Sequence, residues 1–304
     1  MRLVARCHAI VVVLLLALSA FAEMSVTLKK SFLDTYKDRA TIDVNLTVDA
    51  AHEHPNTGAK DGDMHVAGHA SEVGLPMVAE LMNAKERDDA QDLIHAAEAN
   101  GSELDLSGVW RIWWEHPQSG ANQTQLANNT LHGRYPTNPD HAFEIHPITD
   151  VANLDVRDTF HKISGYTPSS ASTAFHHYES RTCTVVPGSN AVTITTSRAL
   201  HNYARFKLEL TSDAVTMTDG RWYYANVYTL TGSSPLAEDI PVVFVKNSPP
   251  ETTVKSKHIG DRLNVVGIPR LNLRLIDYIV DHFQPGEEAD EWYLPYEMVI
   301  VAVY

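Results

Sequence analysis

The chain has 304 residues, of which 24 are lysine or arginine and 38 are aspartate or glutamate, giving a formal net charge of −14 at pH 7. Hydrophobic residues make up 44% of the sequence, which is typical of a globular protein and too high for a disordered or collagen-like chain. The acidic balance argues against binding to nucleic acid, because phosphate backbones need a surplus of basic residues. The length predicts about two domains.

The first 22 residues have the pattern of a secretory signal peptide. Arg2 and Arg6 precede the apolar run 9–18, and Ala20 and Ala22 form an A-x-A cleavage site. We therefore predict a secreted or periplasmic protein that is cut after Ala22 and has no membrane span in the mature chain. A permanent membrane anchor is the alternative, but the apolar run is shorter than the ~20 residues that a spanning helix needs.

Cleavage would remove Cys7 and leave Cys183 as the one cysteine of the mature chain. A single thiol cannot form an intramolecular disulfide, so stability must come from packing even in an oxidising compartment. Cys183 lies in the strand-like run 181–186 and is expected to be buried.

The first half of the mature chain combines strand-like segments with one amphipathic helix. Apolar and polar residues alternate over 40–50, which predicts a half-buried strand. The remaining segments are strand-like at 61–70, 75–81, 103–114 and 141–151, helical at 85–98, and loop-like at 117–139. This order is close to that of an OB-type barrel.

The second half repeats the all-β character. Predicted strands cover 191–198, 203–211, 215–218, 221–230, 240–246 and 262–268, followed by a helix at 272–282 and a closing strand at 299–303. The expected fold is mostly β, with an OB-like barrel domain over 23–155 and a β-rich C-terminal domain over 156–304.

Four short segments carry a resemblance to a known group of proteins. They are DGDMH (61–65), MVAEL (77–81), SGVWRIWWEH (107–116) and FEIHP (143–147). With these segments the chain resembles uncharacterised bacterial exported proteins of a nuclease-like OB fold, which have a D-x-D-x-H strand and a closing E-I-H-P segment. The resemblance covers residues 40–151 and extends weakly to 260–273. It implies the OB fold but no activity, since the arginines with which staphylococcal-type nucleases hold phosphate have no placeable counterpart here.

Acidic and histidine side chains on several predicted strands form a candidate metal site. Residues two apart on a strand point to the same face, so Asp61, Asp63 and His65 are expected to line up on one side. Glu144 and His146 share a face of the last strand of this half in the same way. Together these side chains predict an O/N site for a divalent metal, with an open position for water.

In this hypothesis Glu80 or His116 would move the proton. Two alternatives stay open. In the first, the set is purely structural. Asp61 and Asp63 would form hydrogen bonds in an ordinary turn, and Glu144 and His146 would be hydrogen-bonded polar residues that hold the closing strand in place. The same residues could also perform acid/base catalysis without a metal.

The tryptophan-rich strand 103–114 offers a candidate ligand-binding surface. Trp110 and Trp114 share one face, while Arg111 and Trp113 share the other. At least one tryptophan is expected in the core. Arg111 and Trp113 are the best candidates for an exposed platform on which a ligand could stack.

The sequence contains no G-x-S-x-G elbow, P-loop or G-x-G-x-x-G fingerprint, so acyl-hydrolase, NTPase and dinucleotide functions lack support. We expect an exported binding or accessory module for an unknown ligand or envelope protein. The alternative function is a metal-dependent hydrolase that uses the Asp/His/Glu set with a divalent metal as its cofactor. A structural envelope protein is a third class.

Overall fold

The computed structural model describes residues 23–117, 120–125, 133, 135–282 and 292–304. The predicted signal peptide and parts of the predicted loop 117–139 lie outside these residues. Within them the chain forms three sheets and the α-helices α1 Lys30–Tyr36, α2 Asp88–Asn100, α3 Ala171–Glu179, α4 Pro249–Val254 and α5 Leu273–His282. None of these helices is long and apolar enough to cross a membrane.

The strands of the described residues follow in chain order. They are β1 Met24–Lys29, β2 Thr41–Ala51, β3 Met64–His69, β4 Met77–Leu81, β5 Glu103–Ile112, β6 Asn122–Thr124, β7 Phe143–Val151, β8 Leu154–Asp155, β9 Ser169–Ser170, β10 Thr182–Pro187, β11 Ala191–Thr196, β12 Ala204–Leu210, β13 Val215–Thr216, β14 Gly220–Tyr228, β15 Ala237–Val245, β16 Arg262–Leu271, β17 Trp292–Tyr293 and β18 Tyr296–Val303.

The first barrel closes through five strands. β2, β3 and β4 are antiparallel neighbours, β5 pairs with β2, and β7 pairs with β5 on one side and with β4 on the other. The closing β4–β7 pairing is parallel. With α2 between its third and fourth strands, this order is that of an OB-type barrel and confirms the expected fold.

Helix α2 packs on β2 through three of the four residues of its apolar face, since Leu93 is 37% exposed. Ala90, Ile94 and Ala97 are buried. Gly101 follows with a φ of 61°, the left-handed conformation that ends many helices and that glycine adopts without strain. The helix begins at Asp88 rather than at residue 85, since residues 84–86 form a 3₁₀ turn instead.

The second barrel has the same connectivity as the first. Its strands, in chain order, are β12, β14, β15, β16 and β18; β12 pairs with β14 and β16, β14 with β15, and β16 with β18. A parallel β15–β18 pairing closes it, and α4 lies between its third and fourth strands. The expected β-rich second half is therefore a second closed barrel. The sequence patterns do not predict this repeated connectivity.

A third sheet joins the two halves of the chain in the order β17, β10, β11, β1 and β6. Met24 in β1 lies opposite Thr196 in β11, so the first described strand pairs with one from the second half. Cys183 is buried in β10. The predicted halves 23–155 and 156–304 thus both contribute strands to this sheet.

Two arginines join the barrels reciprocally. Arg111 Nε donates to the Pro269 carbonyl at 2.9 Å, and Arg270 Nη1 donates to the Trp110 carbonyl at 3.1 Å. Each arginine therefore bonds to the residue that precedes the other arginine. A buried apolar cluster lies beside these bonds and includes Met82, Val109, Val266, Ile268, Val299 and Val301.

The strand registers align the two barrels residue by residue. Arg111 on β5 lies opposite Glu144 on β7, and Arg270 on β16 lies opposite Glu297 on β18. Each arginine also donates a hydrogen bond to its glutamate. The segment 260–273, to which the sequence resemblance weakly extends, contains the second-barrel strand that corresponds to β5.

Candidate metal centre

Three ionisable side chains meet on the outer face of the first barrel, where the second barrel covers it. Asp63 precedes β3, Glu80 lies on β4 and His146 lies on β7. The parallel β4–β7 register sets Val78 opposite Glu144, so Glu80 and His146, each two residues further along, are neighbours. The exposed fractions of Asp63, Glu80 and His146 are 0%, 2% and 0%. We call these three residues the Asp–Glu–His cluster.

Tyr203, which lies just before β12, fixes the orientation of His146. Its hydroxyl donates to Asp63 Oδ2 at 2.7 Å, so its oxygen must accept from His146 Nε2 at 2.8 Å. The other ring nitrogen, Nδ1, lies 3.3 Å from Glu80 Oε2 and 3.4 Å from Glu144 Oε2. His146 therefore turns Nδ1 toward the carboxylates.

Each member of the cluster has one buried polar atom that makes no hydrogen bond. These atoms are Asp63 Oδ1, Glu80 Oε2 and His146 Nδ1. Leaving a buried polar atom unpaired costs about 1–3 kcal/mol, so such atoms are rare in folded proteins. One ligand atom from each residue lies within 4.8 Å of the others. A divalent cation with ligand bonds of about 2.0–2.2 Å can bridge such a set, and two carboxylates with one imidazole suit it.

The buried charges around the cluster do not balance. The buried carboxyl groups of Asp63, Glu80 and Glu144 surround His146, and Arg111 pairs with one of them, Glu144. Burial raises the pKa of Glu80 well above its usual value, and the neighbouring carboxylates raise it further. Burial lowers the pKa of His146, but the surrounding carboxylates outweigh this effect and raise it to about 10. Without a cation the cluster must therefore hold extra protons, which a divalent ion would replace.

Glu144 connects the cluster to two more histidines. Burial raises its pKa, but the Arg111 guanidinium that donates to Oε2 dominates and holds the pKa well below the usual range. The other oxygen, Oε1, lies 3.2 Å from His141 Nε2. The His141 ring stacks on that of His116, with 4.9 Å between ring centroids. Glu144 is thus an ionised carboxylate between Arg111, His146 and His141.

A pocket of about 370 Å³ opens beside the cluster, and Glu80 forms part of its wall. His65 and His116 also line it, and burial lowers the pKa of each ring to about 3, so both are neutral. The other lining residues are Asp61, Glu115, Asn138, Tyr166, Ser169, His201 and Asn202. A small molecule in this pocket would contact the cluster through Glu80.

The structure brings four of the residues predicted as metal ligands close together. Asp63 and His146 belong to the cluster, Glu144 contacts His146, and His65 Nε2 lies 3.7 Å from Glu80 Oε2. Glu80, which the sequence analysis assigns to proton transfer, lies inside the cluster itself.

Asp61 lies outside the cluster. Its Oδ1 accepts from the Asn56 side chain at 2.8 Å and from the Asp63 backbone N–H at 3.3 Å, which is the turn chemistry considered above. His116, the other residue assigned to proton transfer, stacks on His141 at the pocket wall.

Sequence reasoning missed Tyr203 and His141. The spacing H-x-x-E-x-H over residues 141–146 is a local signal that includes His141, which lies two residues before the start of β7. No local pattern indicates Tyr203, because it is 140 residues from its partner Asp63.

The expected exposed platform of Arg111 and Trp113 is not found. Each of the two residues is 1% exposed. Arg111 bonds to the second barrel through Pro269, and the Trp113 ring packs edge-on against Tyr178 of α3. The strand pattern fails here because both faces of β5 are covered, so neither side chain has a surface on which a ligand could stack.

The second barrel provides an internal comparison for the cluster. The registers align Asp63 with Gly220, Glu80 with Val243 and His146 with Val299. A barrel of this connectivity therefore closes and packs with glycine and valines at the positions of the cluster. The Arg–Glu pair, in contrast, is present in both barrels, which indicates a structural role for that pair.

No protein-family model matches the sequence, and comparison with curated proteins gives no match.

Proposed function

We propose that this protein is a metal-dependent hydrolase whose cation is bound by Asp63, Glu80 and His146. The observation that carries the proposal is the buried Asp–Glu–His cluster itself: one ligand atom from each residue lies within 4.8 Å of the others, and each residue also has a buried polar atom without a hydrogen bond. Glu80 connects the cluster to the pocket. The apolar residues at the corresponding positions of the second barrel support it, because the fold alone does not require the cluster. A binding or accessory module would need a pocket for its ligand but would not need buried carboxylates that exceed the nearby basic groups. A metal-dependent hydrolase needs such carboxylates as ligands of its cation, so we favour the hydrolase.

When bound, the cation would lower the pKa of a coordinated water to about 7 and so supply a nucleophile. Glu115 is the residue that we assign to accept the proton of that water. It lines the pocket, Arg111 Nη2 donates to its Oε2 at 3.2 Å, and burial raises its pKa above the ordinary glutamate value. Asn138 Oδ1 and Asn202 Oδ1 are buried without hydrogen bonds at the same pocket, so they would accept from donors of the substrate.

The first test measures metal content by inductively coupled plasma mass spectrometry on protein purified without chelator and then dialysed against Zn²⁺, Mn²⁺ or Ca²⁺. We expect bound metal in the parent and its loss in Asp63→Asn and in Glu80→Gln. Asp61→Asn is the matched control, since Asp61 is a nearby carboxylate outside the cluster and should leave the metal in place. A parent that stays free of every one of these metals would overturn the proposal.

The second test separates catalysis from metal binding. Metal-loaded parent and Glu115→Gln are assayed against a panel of carboxylic esters, phosphate esters and amides. We expect Glu115→Gln to keep its metal and to lose about 10²–10⁴-fold in turnover, which is the usual contribution of a general base. A metal-loaded parent without activity on the panel would show that the cation is structural.

We also propose that the protein is exported and that cleavage follows Ala22. The described strand β1 begins at Met24, so this cut would leave the third sheet intact. Expression with the complete N-terminus, followed by N-terminal sequencing of the product, should identify Glu23 as its first residue. A product that retains residues 1–22 would contradict cleavage there.

A further inference from the structure

We propose that His116, His141 and Glu144 bind a second divalent cation next to the first, which makes the centre dinuclear. This site is distinct from the Asp–Glu–His cluster in its ligands, and it rests on the proposed function only for its catalytic consequence. One ligand atom from each of the three residues lies within 4.8 Å of the others. His141 and Glu144 are buried, with exposed fractions of 1% and 2%.

The hydrogen bonds of His141 point to a cation at Nε2. Its Nδ1 lies 2.7 Å from the Pro139 carbonyl, and a carbonyl only accepts, so Nδ1 carries a proton. Nε2 then faces the ionised Glu144 Oε1 at 3.2 Å. A ring nitrogen and a carboxylate oxygen at this distance can both be ligands of one cation, since two ligand bonds of about 2.0–2.2 Å span such a gap.

The surroundings of His141 also suit a cation. A metal-binding histidine commonly donates its other ring N–H to a backbone carbonyl, as His141 does to Pro139. Two histidines and one carboxylate, with a position left for water, are also a ligand set of catalytic zinc sites. His116 lies on the pocket wall, so this open position would face the pocket.

Glu144 lies between the two sites. Oε1 faces His141, whereas Oε2 lies 3.4 Å from His146 Nδ1 in the first site. In two-metal hydrolases the ions are about 3.5–4 Å apart and together hold the attacking and leaving oxygens. The Glu144 carboxylate, with Oε1 beside the second site and Oε2 beside the first, is placed between two such ions.

The second barrel again shows what the fold itself requires. Glu297, the counterpart of Glu144, keeps its arginine, but the same offset along the chain places Leu294 at the position of His141. Leu275 likewise corresponds to His116 along the chain. The arginine–glutamate pair therefore forms without nearby histidines, and the two imidazoles are an addition of the first barrel.

Zinc binding to the chelator-treated protein tests the second site by titration calorimetry and mass spectrometry. We expect two equivalents of zinc in the parent and one in His141→Leu, which introduces the residue found in the second barrel. His176→Leu is the matched control, because His176 is exposed on α3 and should leave both equivalents bound. Asp63→Asn should lose the other equivalent, that of the first site.

A parent that binds one equivalent, retained in His141→Leu but lost in Asp63→Asn, would overturn the second site and leave the proposed function standing. A parent that binds none would overturn both proposals. Because His141 is buried, circular dichroism must show that His141→Leu is folded. His116→Leu, at a partly exposed position, provides a second variant with the same expected loss of one equivalent.

Discussion

Glu80 is a buried carboxyl group whose pKa lies well above its ordinary value. Burial is the main cause of its raised pKa, and nearby Glu144 and Asp63 add to it. The ring nitrogen 3.3 Å away belongs to His146, which other carboxylates also contact. The protonation of this one side chain should therefore be visible in the stability of the metal-free protein.

We expect the free energy of unfolding of the metal-free parent to fall, relative to Glu80→Gln, as the pH rises above about 4.5. The pKa of Glu80 is higher in the folded than in the unfolded protein, so its contribution is fully present below the ordinary value of 4.5 and is lost toward the folded-state value. Urea unfolding in the presence of chelator, from about pH 4 to pH 8, measures the difference. Parallel profiles of the two proteins would contradict the raised pKa.

At the scale of strands, β7 and β18 occupy the same place in their barrels but serve different purposes. Both present a glutamate to a buried arginine. Two residues after this glutamate, β7 has His146 and β18 has Val299. The Arg–Glu pair therefore belongs to the architecture shared by both barrels, whereas His146 is specific to the candidate metal site of the first barrel.

The double variant Glu80→Val/His146→Val should lose the metal of the first site without losing stability. It introduces the residues of the second barrel, Val243 and Val299, and removes a buried charged pair. We expect the free energy of unfolding to be unchanged or to rise by ~1–2 kcal/mol, because apolar replacement of buried ion pairs is often neutral or stabilising. A large loss of stability in urea would instead support the structural role of the two side chains.

Glu297→Gln should have the opposite effect. It leaves Arg270, which is completely buried, without its carboxylate partner. We expect the free energy of unfolding to fall by about 3 kcal/mol with no change in metal content. Urea unfolding and metal analysis of the same preparation measure both quantities, and a drop below 1 kcal/mol, roughly the value of a surface pair, would contradict a buried role.

The elements predictable from the sequence are those whose signal is local. The alternation at 40–50 corresponds to β2, and the last strand of the first barrel, predicted at 141–151, corresponds to β7. The repeated connectivity of the second barrel was not predictable, because strand pairing is long-range and periodicity does not specify partners. In the site, Asp63 and His146 could be selected as ionisable residues with same-face neighbours, whereas the burial of Trp113 depends on α3.

At the scale of the whole molecule, the candidate centre belongs to both halves of the chain. Tyr203 lies next to the first strand of the second barrel, yet its hydroxyl bonds to both Asp63 and His146. Arg111 reaches the second barrel from the other direction through Pro269. The first barrel alone therefore contains the candidate ligands but not the group that orients them.

Tyr203→Phe should weaken cation binding at the first site by about 10–100-fold, which is typical for loss of a hydrogen bond that orients a ligand. Competition with a zinc-binding dye measures the dissociation constant. Tyr178→Phe is the matched control: its buried hydroxyl donates to the His201 carbonyl, so its loss should affect stability but not affinity. Equal affinities of parent and Tyr203→Phe would show that the second half does not tune the site.

The position of β1 in the third sheet also determines when that sheet can fold. β1 is synthesised before β11 but pairs with it along its whole length, and Met24 lies opposite Thr196. Until the ribosome has produced β11, β1 exposes unpaired backbone groups and apolar side chains that can associate with other chains. Joining segments so distant in sequence is slow, because the loop between them must be closed first. β1, the first strand of the third sheet in chain order, therefore lacks its antiparallel partner until residues 191–196 have been synthesised.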